Sequence, residues 1–177
     1  MTTIAAKPTI YNGTRFRSRL EARWAAFFDA IGREWIYEPD IPELAPLQYQ
    51  PDFLTTKSQG DALTIIEIKP DVDAQTTTKL IRDERWHRVA NLSKCNFVLL
   101  FGTPGNWVEG KLASPGHYGG LWMPDEPSVE YVEFGECLVC EQVNIYRQGV
   151  AVCHKPPPSG AMLRAFGAVR DTSFGDA

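Results

Sequence analysis

Residues 63–69 constrain the fold more than any other part of the chain. They read LTIIEIK, a β-branched and apolar run that is typical of a strand buried on both faces. Because side chains alternate across a strand, Ile65, Glu67 and Lys69 share one face. A carboxylate and an ammonium at the end of a buried strand are costly unless they are paired. The run therefore predicts an interior strand that ends in a charged group of residues.

A second extended segment comes shortly before this strand. Residues 49–54 read YQPDFL, and Pro51 restricts Gln50 to extended conformations. The intervening residues 55–62 are polar and rich in turn-forming types. These features predict a β-hairpin in which Asp52 and Glu67 lie side by side.

Two adjacent carboxylates and a nearby ammonium can carry a specific chemistry. Carboxylate oxygens are the ligands that Mg²⁺ and Mn²⁺ prefer, and a two-carboxylate site leaves positions for water and phosphate. Lys69 could orient or activate an attacking water and offset phosphate charge. The structural alternative is that Asp52 is a common turn residue and Glu67-x-Lys69 an ordinary pairing of surface charges. Strand context and spacing together favour metal-dependent phosphodiester cleavage.

An amphipathic helix is predicted to start at Ser18, to run to about Ile31 and to stop at Gly32. Glu21 stands at the third helical position after Ser18, the capping-box arrangement, in which its carboxylate bonds the Ser18 backbone amide. The alternative is that Glu21 reaches the metal as a third carboxylate. Both roles use the same oxygen atoms, and the sequence leaves the choice open.

Three segments, taken in order, resemble the PD-(D/E)xK nuclease superfamily, in particular its small phage and transposon-associated endonucleases. The segments are residues 17–25 (RSRLEARWA), 49–53 (YQPDF) and 66–70 (IEIKP). The resemblance covers roughly residues 14 to 102, and its specificity comes from the order and context of short motifs. It implies an α/β fold with a restriction-endonuclease-like core, which consists of a helix, a mixed four-stranded sheet and a second helix.

The same resemblance implies roles for individual residues. Asp52 and Glu67 would bind a divalent metal, Mg²⁺ or Mn²⁺, and the carbonyl of Ile68 would add a ligand. Lys69 would assist the attacking water, and Glu21 matches the acidic position on the first helix. The implied activity is that of a metal-dependent DNA endonuclease.

The second helix of this plan is expected over residues 76–92. Four apolar residues would face the core, and they are Leu80, Ile81, Val89 and Leu92. Residues 96–102 form a continuous apolar run that is typical of a buried central strand. The strand-helix-strand order from residue 63 to residue 101 predicts a parallel crossover.

Basic residues crowd the first helix and follow the motif strand, although the net charge of the chain is −4. This half of the chain is therefore locally basic, as expected for contact with nucleic acid. The candidates for contacts to DNA phosphates are Arg17, Arg19, Lys79 and Arg82. The alternative for each is an ordinary solvated helix face.

The C-terminal third carries a separate signal. Cys137 and Cys140 form a CxxC pair, and Cys153 and His154 follow it in the sequence. The set is similar to a small zinc ribbon and makes structural Zn²⁺ a candidate cofactor. It departs from the usual spacing because Cys153 and His154 are adjacent, and His117 is another candidate for the fourth ligand. The alternative is a pair of reduced cysteines on a short hairpin.

These signals predict a nuclease-like domain over residues 1–127. They also predict a C-terminal element over residues 128–177, with the cysteines and a short helix near residues 161–170. Between Asp125 and Glu141 there are six acidic residues and no Lys or Arg. That segment is a candidate surface for a protein partner or a solvated face. Many enzymes of the resembled fold form dimers, so a homodimer is compatible with this interpretation.

The composition is typical of a globular intracellular protein. Hydrophobic residues make up 44% of the chain, which is enough for one sizeable core. Neither an apolar run near eighteen residues nor a signal-peptide pattern is found, so we expect a cytoplasmic protein without membrane contact. A phage-encoded protein in a bacterial host fits this description.

Three interpretations of function follow. The favoured one is a Mg²⁺-dependent DNA endonuclease that uses Asp52, Glu67 and Lys69. The second is a catalytically silent nuclease fold that binds DNA or protein as an accessory subunit, which the acidic segment and the modest net charge favour. The third makes the cysteine element the functional part, docking the domain on a partner.

Overall fold

The computed structural model describes residues 6–55, 63–108, 111–114, 119–136, 143–147 and 160–177. The strands are β1 (Thr9–Tyr11), β2 (Thr14–Phe16), β3 (Trp35–Tyr37), β4 (Phe53–Thr55), β5 (Thr64–Lys69), β6 (Asn96–Phe101), β7 (Asn106–Val108), β8 (Lys111–Ser114), β9 (Gly119–Trp122), β10 (Val129–Glu136), β11 (Val143–Arg147) and β12 (Gly175–Asp176). The helices are α1 (Arg19–Ala30), α2 (Ala74–Ile81), α3 (Arg85–Ser93) and α4 (Gly160–Asp171), with a 3₁₀ helix at Pro42–Leu47.

A seven-stranded mixed sheet organises the chain in the order β11-β10-β9-β6-β5-β4-β3. Within the described residues, β5 and β6 form the parallel pair of this sheet, and its other neighbouring strands are antiparallel. The prediction of a hairpin between β4 and β5, followed by a crossover to a central parallel strand β6, is confirmed. The fold is thus α/β with a mixed sheet.

Strand β5 separates two hydrophobic cores. Ile66 and Ile68 pack into the core formed with α1 and α4. Ile65 packs into the core formed with α3 and the 3₁₀ helix. The alternation predicted from the sequence is therefore confirmed, and it places Glu67 and Lys69 on the same side of the sheet as α3.

Helix α1 begins and ends where the sequence predicts. Ser18 is its N-cap, and the Ser18 hydroxyl accepts a hydrogen bond from the Glu21 N–H at 3.2 Å. The helix ends at Ala30, and Gly32 follows with a φ of 67°, a left-handed conformation that glycine adopts without strain. The buried residues of α1 cover the face of the sheet that carries Ile66 and Ile68.

The single helix predicted over residues 76–92 is wrong, because the structure has two helices there, α2 and α3. The Asp83 carboxylate accepts the N–H of Arg85 at 3.0 Å and so starts a new helix. The indole N–H of Trp86 donates to the Leu80 carbonyl at 2.8 Å and ties the two helices together. Val89 of α3 is buried as predicted, whereas Leu92, near the end of the same helix, is exposed instead of facing the core.

The sheet is wider than the four strands implied by the resemblance. Strands β9, β10 and β11 continue it beyond β6. The helix expected near residues 161–170 is α4.

Contacts cross the boundary expected at residue 127. Strand β10 pairs with β9, α4 packs on α1, and β12 pairs with β1. The rings of Phe27 in α1 and Phe166 in α4 are stacked with their centroids 5.2 Å apart.

None of the described helices is long and apolar enough to cross a membrane.

Candidate active site

The carboxylates of Asp52 and Glu67 meet where β4 begins and β5 nears its end. The register pairs Phe53 with Ile66 and Leu54 with Ile65, so Asp52, directly before β4, falls opposite Glu67. Asp52 is 4% exposed and Glu67 is 6% exposed. Side chains at directly opposite positions of an antiparallel pair are neighbours. The hairpin therefore buries two carboxylates beside each other, as the sequence predicts.

Both oxygens of Asp52 have a protein donor. Its Oδ2 accepts the backbone N–H of Ile68 at 2.7 Å. Its Oδ1 accepts from Nη2 of Arg17 at 2.5 Å, in an ion pair between a buried carboxylate and a guanidinium that is 53% exposed. The backbone bond fixes the direction of the carboxylate because Ile68 is held in a central strand.

Both oxygens of Glu67 also have donors. The Tyr49 hydroxyl donates to Oε2 at 2.6 Å, and the Lys69 ammonium lies 2.5 Å from Oε1. Burial and the charge of Glu67 raise the pKa of Tyr49 well above its ordinary value, so the phenol stays protonated and remains a donor. Lys69 is 31% exposed and connects the buried pair with solvent.

Glu21 lies on the Asp52 side of the site. Its Oε1 accepts from the Ser18 hydroxyl at 2.8 Å, and its Oε2 accepts from the Tyr37 hydroxyl at 2.5 Å. The Nε of Arg17 is 3.9 Å from the same Oε2. In place of the bond to the Ser18 amide that a capping box would use, the carboxylate bonds the Ser18 side chain. Arg17 stands between Glu21 and Asp52.

The charges around the pair do not balance. Arg17 also bonds Glu38 at 2.9 Å. The site therefore contains two cations, Arg17 and Lys69, and four acids, which are Glu21, Glu38, Asp52 and Glu67. Two negative charges are left over when all four acids are ionised. One divalent cation would neutralise this excess.

The pKa of Asp52 reflects its burial first and this excess charge second. Burial raises the pKa of Asp52 to about 7, and the charges of Glu67 and Glu21 act in the same direction. The Ile68 N–H and the Arg17 guanidinium oppose the rise by stabilising the carboxylate. A carboxylate that titrates near neutrality responds strongly to a nearby cation.

The donors of this site fit Mg²⁺ or Mn²⁺. Because the N–H and C=O of one residue point to the same edge of a strand, the Ile68 carbonyl points toward the Asp52 side. The Lys69 carbonyl points to the opposite edge and accepts the Gly102 N–H at 2.8 Å. Among the described residues no three His, Cys, Asp or Glu side chains form a ready metal cage. A metal here would use two carboxylates, one carbonyl and several waters, which is usual for Mg²⁺.

The four basic residues predicted to contact DNA do not lie together. Arg17 forms an ion pair with Asp52 inside the site. Arg19 lies elsewhere, with its Nη2 3.9 Å from Asp176. Lys79 and Arg82 are exposed at the end of α2 and make no ion pair with a described residue.

Arg85, at the start of α3, is a basic residue that belongs near the site. It directly precedes Trp86, whose ring centroid lies 6.0 Å from that of Tyr49, and its charge opposes the rise in the pKa of Tyr49. Its guanidinium stacks 4.1 Å from the Trp86 ring centroid and bonds Asp83 at 2.9 Å. Its position at a helix start, directly before a tryptophan, is the only sequence signal for this role.

Sequence reasoning also missed two tyrosines. Tyr49 holds Glu67, and Tyr37 holds Glu21 and accepts the backbone N–H of Arg17 at 3.0 Å. The position of Tyr49 in the YQPDF segment is a signal that could have identified it. Tyr37 has no such signal, because its place depends on the pairing of the three-residue strand β3 with β4.

The proposed zinc ligands Cys137, Cys140, Cys153 and His154, together with His117, lie outside the described residues. Cys95, directly before β6, is a buried free thiol.

No family model, no curated protein and no solved structure matches the chain. The chemistry of the site itself therefore has to indicate the function of the chain.

Proposed function

We propose that the chain is a divalent-metal-dependent endonuclease of the PD-(D/E)xK type, with a restriction-endonuclease-like core, that hydrolyses phosphodiester bonds in DNA. One observation carries the proposal. Two buried carboxylates, Asp52 and Glu67, lie side by side, have a lysine next to them and leave an excess of negative charge. A fold does not retain such repulsion for stability alone, because burial of like charges is unfavourable.

The metal would be held by Asp52, Glu67 and the Ile68 carbonyl. When bound, Mg²⁺ polarises a phosphoryl oxygen and lowers the pKa of a coordinated water. Lys69 is partly exposed and bonded to Glu67, so its ammonium can orient the attacking water and offset the charge that develops on the phosphate. Tyr49 keeps the Glu67 carboxylate in one orientation.

Two arginines flank the pair and suit a polyanionic substrate. Arg17 lies on the Asp52 side and Arg85 on the Tyr49 side, and both side chains are about half exposed. Guanidinium groups can form bidentate hydrogen bonds with phosphates, and such backbone contacts do not depend on the base sequence. This arrangement supports backbone contacts to DNA on both sides of the scissile bond.

Cleavage assays test the proposal directly. We expect the purified chain to cut supercoiled plasmid, single-stranded DNA or a branched junction with Mg²⁺ or Mn²⁺, and to lose activity in EDTA. Glu67→Gln keeps the size of the side chain and removes its charge, so cleavage should fall to background. Glu84→Gln, at the exposed start of α3, is the matched control and should cut like wild type. Metal-independent cutting, or full cutting by Glu67→Gln, would contradict the assignment.

One observation favours a second function, that of a catalytically silent binding module. Every oxygen of the Asp52 and Glu67 carboxylates already has a protein donor. A site that is saturated in this way can serve as a structural network. This candidate predicts DNA or protein binding that is unaffected by EDTA, and calorimetry that detects no uptake of Mn²⁺.

A further inference from the structure

Arg17 is placed to compete with a metal. Its Nη2 bonds Oδ1 of Asp52, and its Nε bonds Glu38 at 2.9 Å and lies 3.9 Å from Glu21. The guanidinium thus occupies the center of three carboxylates. It is the strongest single counter-charge that Asp52 has among the described residues.

The two oxygens of Asp52 are not equivalent. Oδ2 is held at 2.7 Å by the N–H of Ile68, which belongs to a central strand and cannot turn away. Oδ1 is held by a side chain. A metal on Asp52 would therefore use Oδ1, and a guanidinium beside a divalent cation on the same oxygen would be repelled.

Arg17 can leave this position without disturbing the fold. Its backbone N–H is anchored to the Tyr37 hydroxyl at 3.0 Å, directly before the N-cap Ser18. Its side chain is 53% exposed, so the guanidinium can rotate into water once a metal replaces its charge beside Asp52. The backbone is fixed while the charged end is free to move.

We propose that Arg17 is a displaceable counter-ion: it neutralises Asp52 in the metal-free protein, yields Oδ1 to the incoming divalent metal, and then binds a phosphate of the substrate. The inference rests on the proposed metal site. It adds that metal and phosphate binding are coupled, because a phosphate that draws Arg17 away leaves Asp52 open to the metal. By linkage, bound metal strengthens phosphate binding by the same factor.

Mn²⁺ titration of the nucleic-acid-free protein by calorimetry tests the inference. Removal of the competing cation in Arg17→Ala and Arg17→Gln should tighten Mn²⁺ binding by about two- to fivefold, within the range expected for one half-exposed ion pair. Arg19→Ala removes the same charge two residues away and should leave the affinity unchanged. Asp52→Asn should abolish the binding in each background.

The outcomes separate this inference from the proposed function. If wild type binds Mn²⁺ through Asp52 and the Arg17 variants bind equally or more weakly, Arg17 does not compete and only this inference fails. If neither wild type nor the Arg17 variants bind Mn²⁺, the metal site fails as well.

A measurement on the wild-type chain covers the case in which the variants do not fold. Nitrogen-15 NMR of the Arg17 Nε–H should show faster exchange with water when Mg²⁺ is added, because the guanidinium leaves its carboxylates. An exchange rate that Mg²⁺ does not change would overturn the inference.

Discussion

Asp52 links the stability of the fold to the proposed chemistry at the scale of a single residue. The fold buries its carboxylate beside that of Glu67 and supplies Ile68 and Arg17 as donors. These donors offset only part of the cost, because the pKa of Asp52 is still raised to about 7. The ionised form needed to bind a metal is therefore the form that destabilises the metal-free protein.

This conflict predicts a pH dependence of stability. The pKa of Asp52 rises from 3.8 to about 7 on folding, so its contribution to stability is complete below about pH 4 and is lost as the pH rises through 7. We expect the urea midpoint of wild type to fall more between about pH 5 and pH 8 than that of Asp52→Asn, which cannot ionise.

Tryptophan fluorescence during urea unfolding gives this comparison. Groups that do not interact with Asp52 act equally on both proteins, so the difference between the two falls reports on Asp52 and its charged neighbours. Mg²⁺ at the higher pH should restore the midpoint of wild type and leave that of the variant unchanged. Equal falls in both proteins would show that the Asp52 carboxylate does not titrate in this range.

At the scale of elements, two glycines respond to the same substitution in opposite ways. A Cβ on Gly119 in β9 would lie 2.1 Å from the Leu99 carbonyl oxygen of β6, a backbone atom that cannot move without breaking the sheet. A Cβ on Gly167 in α4 would meet no atom within 4 Å. Gly119→Ala should therefore destabilise the protein by more than about 2 kcal/mol, an overpacking cost. Gly167→Ala should stabilise it by about 0.5–1 kcal/mol.

Free energies of unfolding from urea titration check both values. Since the substitution is the same, its effect on the unfolded chain is similar at both positions, and the difference measures the folded environment. A neutral Gly119→Ala would mean that β9 can separate from β6 without loss of stability.

Elements with strong local patterns are those that sequence analysis predicts. The run ending in Lys69 is apolar enough to specify β5, and Ser18 and Gly32 mark the ends of α1. The break at Asp83 is not predicted, because the charged residues around it suit a helix surface as well as a helix start. Strand β3 is three residues long and depends on pairing with β4.

The candidate site likewise contains contacts that the sequence predicts and contacts that it does not. Asp52, Glu67 and Lys69 come together through one hairpin, so spacing along the sequence is enough to relate them. The ion pair of Arg17 with Asp52 joins the start of α1 to the start of β4 across 35 positions. Contacts of that kind depend on how helix and sheet pack, and no local pattern encodes them.

For the whole molecule, charge and packing extend the site beyond its own residues. The net charge of −4 opposes approach to a polyanion, so for the proposed DNA substrate the local arginines and the proposed metal would have to supply the attraction. The core behind the site includes Phe27 of α1 and Phe166 of α4 as well as Ile66 and Ile68 of β5. The C-terminal helix thus supports the strand that carries Glu67.

This shared core predicts cooperative unfolding. Phe166 is buried and stacked on Phe27 with an interplanar angle of 11°, so Phe166→Ala should destabilise the protein by about 3–5 kcal/mol. Leu163→Ala, an exposed position of the same helix, should change stability by less than about 0.5 kcal/mol. Circular dichroism and tryptophan fluorescence should follow one coincident urea transition that Phe166→Ala moves as a whole. Two transitions, of which the substitution moves only one, would mean that residues 1–127 and 128–177 unfold independently and that α4 does not support the site.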